Sequence, residues 1–163
     1  GATRETVNLA ILDGDQVVNI EKVPSAHYIR DIGWIGRRSP LHCTATGKAL
    51  IAHLSRAELR RLLGARLKRF TPHTICDWAT LEAELAEVRR LGFALGHEEL
   101  EPGLVAIAAP IYAIGGQTAG VVSVSGPSFR MTAAAIEAYA PHVIAAAAAT
   151  SRSLGHSGRA MAG

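Results

Sequence analysis

Two hairpin signals bracket a block of helical periodicity in this chain, and that order excludes most architectures. Residues 6–12 (TVNLAIL) alternate well enough for a strand, Asp13-Gly14 supplies a tight turn, and residues 17–23 supply the returning strand. A shorter strand is expected at 27–30, ahead of a loop carrying Gly33, Gly36, Arg37, Arg38 and Pro40. Thr44-Ala45-Thr46-Gly47-Lys48 then opens a helix to about His53, and Ser55 with Glu58 forms a capping box for a second, ending near Gly64. Asp77 is the expected N-cap of a third, in which Leu81, Leu85, Val88 and Leu91 keep helical spacing until Gly92. Residues 93–97, 104–113 and 118–125 read as three more strands, the last two joined at Gly115-Gly116. Gly126-Pro127 ends the last of them. Thr132 caps an alanine-rich helix to about Leu154, with a kink expected at Pro141.

Strands joined by tight turns pair antiparallel, and helices gathered between two strand blocks do not wind a parallel sheet. The expected class is therefore α+β: an antiparallel sheet of about six strands flanked by helices. The expected order is three strands, three helices, three strands and one helix.

Composition limits what such a fold needs. At ~150 residues per domain, 163 residues make one domain, and 48% hydrophobic with 19% charged residues is too apolar for disorder. A domain of this size buries about 70% of its unfolded surface, so neither a metal nor a disulfide is required. Cys43 and Cys76 make no disulfide framework, which favours a reducing cytoplasm. No apolar run of about 18 residues and no secretory segment occurs, so neither membrane nor export is expected. A net charge of +3 permits contact with nucleic acid without arguing for it, and 5% aromatic residues leave few platforms for stacking bases. Residues 1–4 read as a vector or linker remnant, 5–155 as the domain, and 156–163 as a disordered tail.

The local search for chemistry yields modest signals. Gly47-Lys48 lacks the glycine at 42 and the hydroxyl at 49 that a nucleotide-binding loop requires, since His42 and Ala49 stand there. What remains is a helix start with small residues, which either holds a carboxylate on free N–H groups or is simply capped by Thr44. Ser123 and Ser125 lie two apart on one strand and share a face. They either wall a polar pocket or bond to nearby backbone. Cys43 beside His42 allows a thiol nucleophile only with a base from elsewhere. The histidines and cysteines show no zinc spacing, and no metal or cofactor is expected. Glu98, Glu99 and Glu101 read as a solvated turn or interface ion pairs, and the basic run from Arg60 to Arg69 as a solvated face.

The segment from Arg37 to Ala49, RRSPLHCTATGKA, resembles the signature of IclR-type transcriptional regulators. Three further blocks agree in order: Glu5-Thr6-Val7-Asn8-Leu9, Glu98-Glu99-Leu100-Glu101-Pro102-Gly103-Leu104 and Ser123-Val124-Ser125-Gly126-Pro127. The resemblance implies a GAF-like effector-binding domain, normally preceded by a DNA-binding winged helix-turn-helix that this chain lacks. It places a small-molecule pocket between the sheet and the helix at Thr44, Ala45, Thr46 and Gly47. The hydroxyls of Ser123 and Ser125 stand on the other side. Some relatives that bind oxo-acids carry an aspartate and a cysteine where Gly96 and Ala106 stand here, which implies a roomier, less polar pocket for larger or aromatic acids. Asp31 and Trp34 border the same region and can supply a compensating hydrogen bond and an apolar wall.

These readings lead to a non-catalytic sensor of a small organic acid, assembled as a homodimer or homotetramer, touching DNA only through the missing domain. The alternatives are a structural oligomerisation module with a vestigial pocket and, further off, a small hydrolase using Cys43.

Overall fold

The computed structural model describes residues 3–27 and 35–158. Its strands are β1 (Thr6–Asp13), β2 (Gln16–Val23), β3 (Arg38–Pro40), β4 (Ala94–His97), β5 (Leu104–Tyr112) and β6 (Thr118–Pro127). Its helices are α1 (Ala45–Ile51), α2 (Arg56–Leu63), α3 (Trp78–Leu91) and α4 (Ala133–Ser153). The order is the expected one, and all six strands form one sheet, β3-β2-β1-β6-β5-β4, with every neighbouring pair antiparallel.

The sheet is two three-stranded meanders, one from each end of the chain, zipped together where β1 meets β6. The third strand differs from expectation. Residues 28–30 lie outside the described residues, while Arg38–Pro40, read as loop, pairs with Gln16, Val17 and Val18. Three residues are too few for alternation to register, and a proline is tolerated at the end of an edge strand because no further strand needs its N–H.

Local signals place the helices. Thr44 accepts from the Gly47 N–H at 3.0 Å, Ser55 and Glu58 complete their capping box, and Asp77 accepts from the Thr80 N–H at 2.8 Å. Gly92 ends α3 in the left-handed region at φ 79°, where a side chain is disfavoured. Helix α4 runs on through Pro141; the missing proline N–H leaves the Glu137 carbonyl without its intrahelical donor.

Alternation along the strands divides the core in two. Val105, Ile107, Ala109 and Ile111 of β5, with Val124 of β6, pack under Ala140, Val143 and Ala147 of α4. Ser151 fastens this layer, donating to the Ala147 carbonyl and accepting from the Tyr112 N–H at 2.9 Å. On the other face, Ala10, Val17, Ala94, Ala108 and Val121 meet Ala45, Ala49, Leu50 and Ile51 of α1 and Leu81, Leu85 and Val88 of α3.

Candidate functional site

The site follows from strand register. Paired residues on neighbouring strands share a face, so Gly96, Ala106, Ser125 and Thr6 form one row across β4, β5, β6 and β1. Ala94, Ala108, Ser123 and Asn8 form the next. Small residues in the first half of each row leave the sheet surface low, and the hydroxyls and the Asn8 amide make the floor polar. Helix α1 begins above this floor.

The result is a small cavity of about 70 Å³, open on one side to solvent. Among the ten residues expected at the site, Thr44, Ala45, Thr46, Gly96, Ala106, Ser123 and Ser125 line it. Asp31 and Trp34 lie outside the described residues. Gly47 does not line it. A Cβ there would stand 2.2 Å from the Leu41 carbonyl oxygen, so its glycine is required for α1 to lie against the chain that precedes it.

Gly96 has a similar role, since a Cβ would come within 2.9 Å of the Ala45 N. Its missing side chain is filled by the start of α1 rather than by ligand space, so it does not widen the pocket. Asn8, Asn19, Arg37, Ser39 and Glu99 line the pocket as well. Among the described residues, Arg37 is the one basic side chain in that lining, and it pairs with Glu101 at 2.5 Å.

Glu99 corrects the reading of the acidic cluster as a solvated turn. Its side chain is 9% exposed, and it accepts from Lys48 Nζ at 2.7 Å. Lys48 is fully buried and also reaches Glu84 at 2.8 Å. One lysine thus joins α1, α3 and the turn after β4. The turn is further held by Thr74, whose hydroxyl donates to the Glu99 carbonyl at 2.6 Å. Glu101 does form the surface ion pair that the sequence allows.

Among the described residues, two acceptors in the lining are unmet. Asn8 donates through Nδ2 to Ser125 Oγ at 3.4 Å, but its Oδ1 has no hydrogen-bond partner, and neither has Glu99 Oε2. Neither residue is read as a site residue from the sequence. The available signal was an asparagine at an inward position of an otherwise apolar strand, directly across from Ser123.

Cys43 also lines the cavity, and burial pushes its thiol up to about 12, assisted by the Glu99 carboxylate and opposed by Lys48. A neutral thiol is a poor nucleophile. The adjacent His42 ring is occupied by the Lys68 carbonyl at 2.8 Å. Two wider depressions near residues 156–158, both bordered by Tyr112 and His156, contain no unmet buried side-chain acceptor among the described residues.

A low, polar sheet floor roofed by a capped helix start defines a ligand-binding α+β domain. The family model described as the bacterial transcriptional regulator IclR C-terminal matches residues 1–152, and the chain belongs to that family. It is an IclR-type effector-binding domain, a regulator's domain rather than an enzyme. The HTH-type transcriptional regulator BhcR of Paracoccus denitrificans is 44% identical over 146 residues, covering 89% of this chain and 52% of BhcR. The chain spans about half the length of such relatives. The crystal structure of the C-terminal domain of Escherichia coli KdgR superposes with a TM-score of 0.83 at 35% identity, covering 94% of this chain and 90% of that one. The inducer-binding domain of the Acinetobacter transcription factor PobR, a double mutant in complex with 3-hydroxybenzoic acid, gives 0.80 at 27%, covering 94% and 89%.

Proposed function

We propose that the cavity binds a small organic acid, aliphatic or aromatic. Its occupancy controls DNA binding by a winged helix-turn-helix domain joined to this one in a cytoplasmic homodimeric or homotetrameric regulator. One observation carries the reading: Thr44, Ala45 and Thr46 converge with Ser123 and Ser125 on one cavity from elements far apart in the chain. The first N–H groups of α1 have no intrahelical acceptor, and the Thr44 hydroxyl already takes that of Gly47. With the serine hydroxyls and Arg37, they supply donors to opposite sides of a carboxylate. The complex of PobR with 3-hydroxybenzoic acid is a precedent for such a ligand in a similar fold.

Control of DNA follows by linkage. The ligand changes DNA affinity by the factor by which it prefers one state of the assembly over the other. Titration calorimetry with a series from acetate to hexanoate and with benzoate tests the reading. One saturable site is expected, weakened about ten- to a hundredfold in the Ser123→Ala/Ser125→Ala variant, since hydrogen bonds to a charged group are worth about 1.5–3 kcal/mol. No heat from any acid, with the oligomer intact in sedimentation, would leave the domain a structural oligomerisation module.

A further inference from the structure

We infer that the basic face formed by the end of α2 and the loop after it is a contact for the phosphate backbone of duplex DNA, additional to any DNA-reading domain joined to this one. The contact lies apart from the ligand cavity and does not depend on what the cavity holds. From sequence this run reads as a solvated face; the fixed loop that carries it is what argues otherwise.

The positive charge of the chain is concentrated. Residues 56–69 hold six basic side chains, Arg56, Arg60, Arg61, Arg66, Lys68 and Arg69, and one acidic one, Glu58; the remainder of the chain holds eleven basic and thirteen acidic. All six basic residues are exposed. Arg56 is ion-paired with Glu82 at 2.9 Å, and Glu58 is turned back into its capping box, accepting from the Ser55 N–H at 2.7 Å. Among the described residues the other five cations have no ion pair. The dipole of α2 accounts for Arg60 and Arg61, which stand in its last turn. It does not account for Arg66, Lys68 and Arg69, which lie beyond the helix.

These three are presented on a pinned backbone. Leu67 is buried in the core on the α1 side of the sheet, with Arg66 and Lys68 exposed on either side of it. Trp78 Nε1 donates to the Ala65 carbonyl at 3.4 Å, His42 Nε2 donates to the Lys68 carbonyl at 2.8 Å, and Arg69 donates to the Pro72 carbonyl at 3.3 Å. Arg60 lies 3.9 Å over the Trp78 ring, which joins the end of α2 to the same anchor. Like charges held side by side repel one another, and a polyanion relieves that repulsion while releasing its own condensed counterions. Four of the five unpaired cations are arginines, whose planar forks match phosphate oxygens. The chain belongs to a family of transcriptional regulators, so a joined reader domain keeps a duplex at high local concentration, where a few weak phosphate contacts suffice.

Fluorescence anisotropy tests this on the full 163-residue chain, titrated into a labelled duplex of arbitrary sequence at a series of KCl concentrations from about 20 to about 200 mM. The expected result is weak, sequence-independent binding, with a dissociation constant on the order of 10⁻⁴–10⁻⁶ M at low salt. The logarithm of the binding constant should fall with the logarithm of salt at a slope of about −0.9 for each phosphate met, hence about −3 to −4 if four of the five cations engage. Arg66→Glu/Lys68→Glu, both exposed, should weaken binding at least about tenfold and flatten the slope by about two. Arg90→Glu/Arg152→Glu makes the same change in net charge on α3 and α4, away from the face, and should alter the slope by less than about one. Absence of binding at the lowest salt, or an equal loss in the two double variants, overturns the inference. Tighter binding of polyglutamate than of DNA overturns it in favour of an acidic protein partner. If Arg66→Glu/Lys68→Glu abolishes self-association in sedimentation and leaves DNA binding unchanged, the face belongs between copies of this chain and the inference fails.

Discussion

The two faces of the central strands have opposite chemistry although they are built from alternate residues of the same segments. On β6, Val122 and Val124 turn towards α4, while Ser123 and Ser125 turn towards α1. On β5, Val105 and Ile107 lie under α4, while Ala106 lies in the cavity. The α4 face is packed with apolar side chains; the α1 face contains a polar-floored cavity, a buried lysine cluster and, among the described residues, two unmet acceptors. Stability and recognition are thus separated by a single-residue step along each strand. A register slip would exchange them, which is why the β1–β6 pairing at the centre of the sheet must be strictly held.

Substitutions on each face should therefore affect different measurements. The largest expected effect is Ile107→Ala under α4, a loss of about 2–5 kcal/mol in denaturant unfolding with the ligand dissociation constant unchanged. Next, Gly47→Ala forces α1 away from Leu41 and should lower stability by about 1–3 kcal/mol or more. It should also weaken ligand binding, because the same helix roofs the cavity. If binding survives Gly47→Ala unchanged, α1 is not part of the site. Ser123→Ala/Ser125→Ala should do the reverse of Ile107→Ala, weakening binding about ten- to a hundredfold with less than about 1 kcal/mol of stability lost.

The smallest effect concerns pH. The Cys43 thiol, raised from 9.0 to about 12, stays protonated in the folded chain while an unfolded thiol ionises. Its contribution is fully present below pH 9.0 and is lost as pH rises towards 12. Stability measured between pH 9 and 10.5 should fall less steeply in Cys43→Ala, and iodoacetamide should leave Cys43 of the folded chain unmodified at pH 7.5. Rapid alkylation at Cys43 under native conditions would contradict its burial.

Legibility followed sequence distance. Caps and hairpins are local, so Thr44, Ser55, Asp77, Gly92, Asp13-Gly14 and Gly115-Gly116 could be read directly. Ser123 and Ser125 were legible as a pair because period-two alternation is also local. Glu99 was misread as solvated because the lysine that buries it is 51 positions away, and the bond from Asn8 to Ser125 spans 117. The resemblance reads Gly96, with Ala106, as pocket space; only the folded chain brings the Ala45 N against Gly96. The strand at Arg38–Pro40 was missed because three edge residues carry almost no periodic signal.

The claim that one face senses and the other supports is tested most directly by amide chemical-shift mapping during titration with the best-binding acid of the series. The account predicts saturable shifts at Asn8, Ala45, Thr46, Gly96, Ala106, Ser123 and Ser125, with Ala140, Val143 and Ala147 of α4 nearly still. Shifts centred on α4 and absent from the Asn8–Ser123 row at saturation would contradict it.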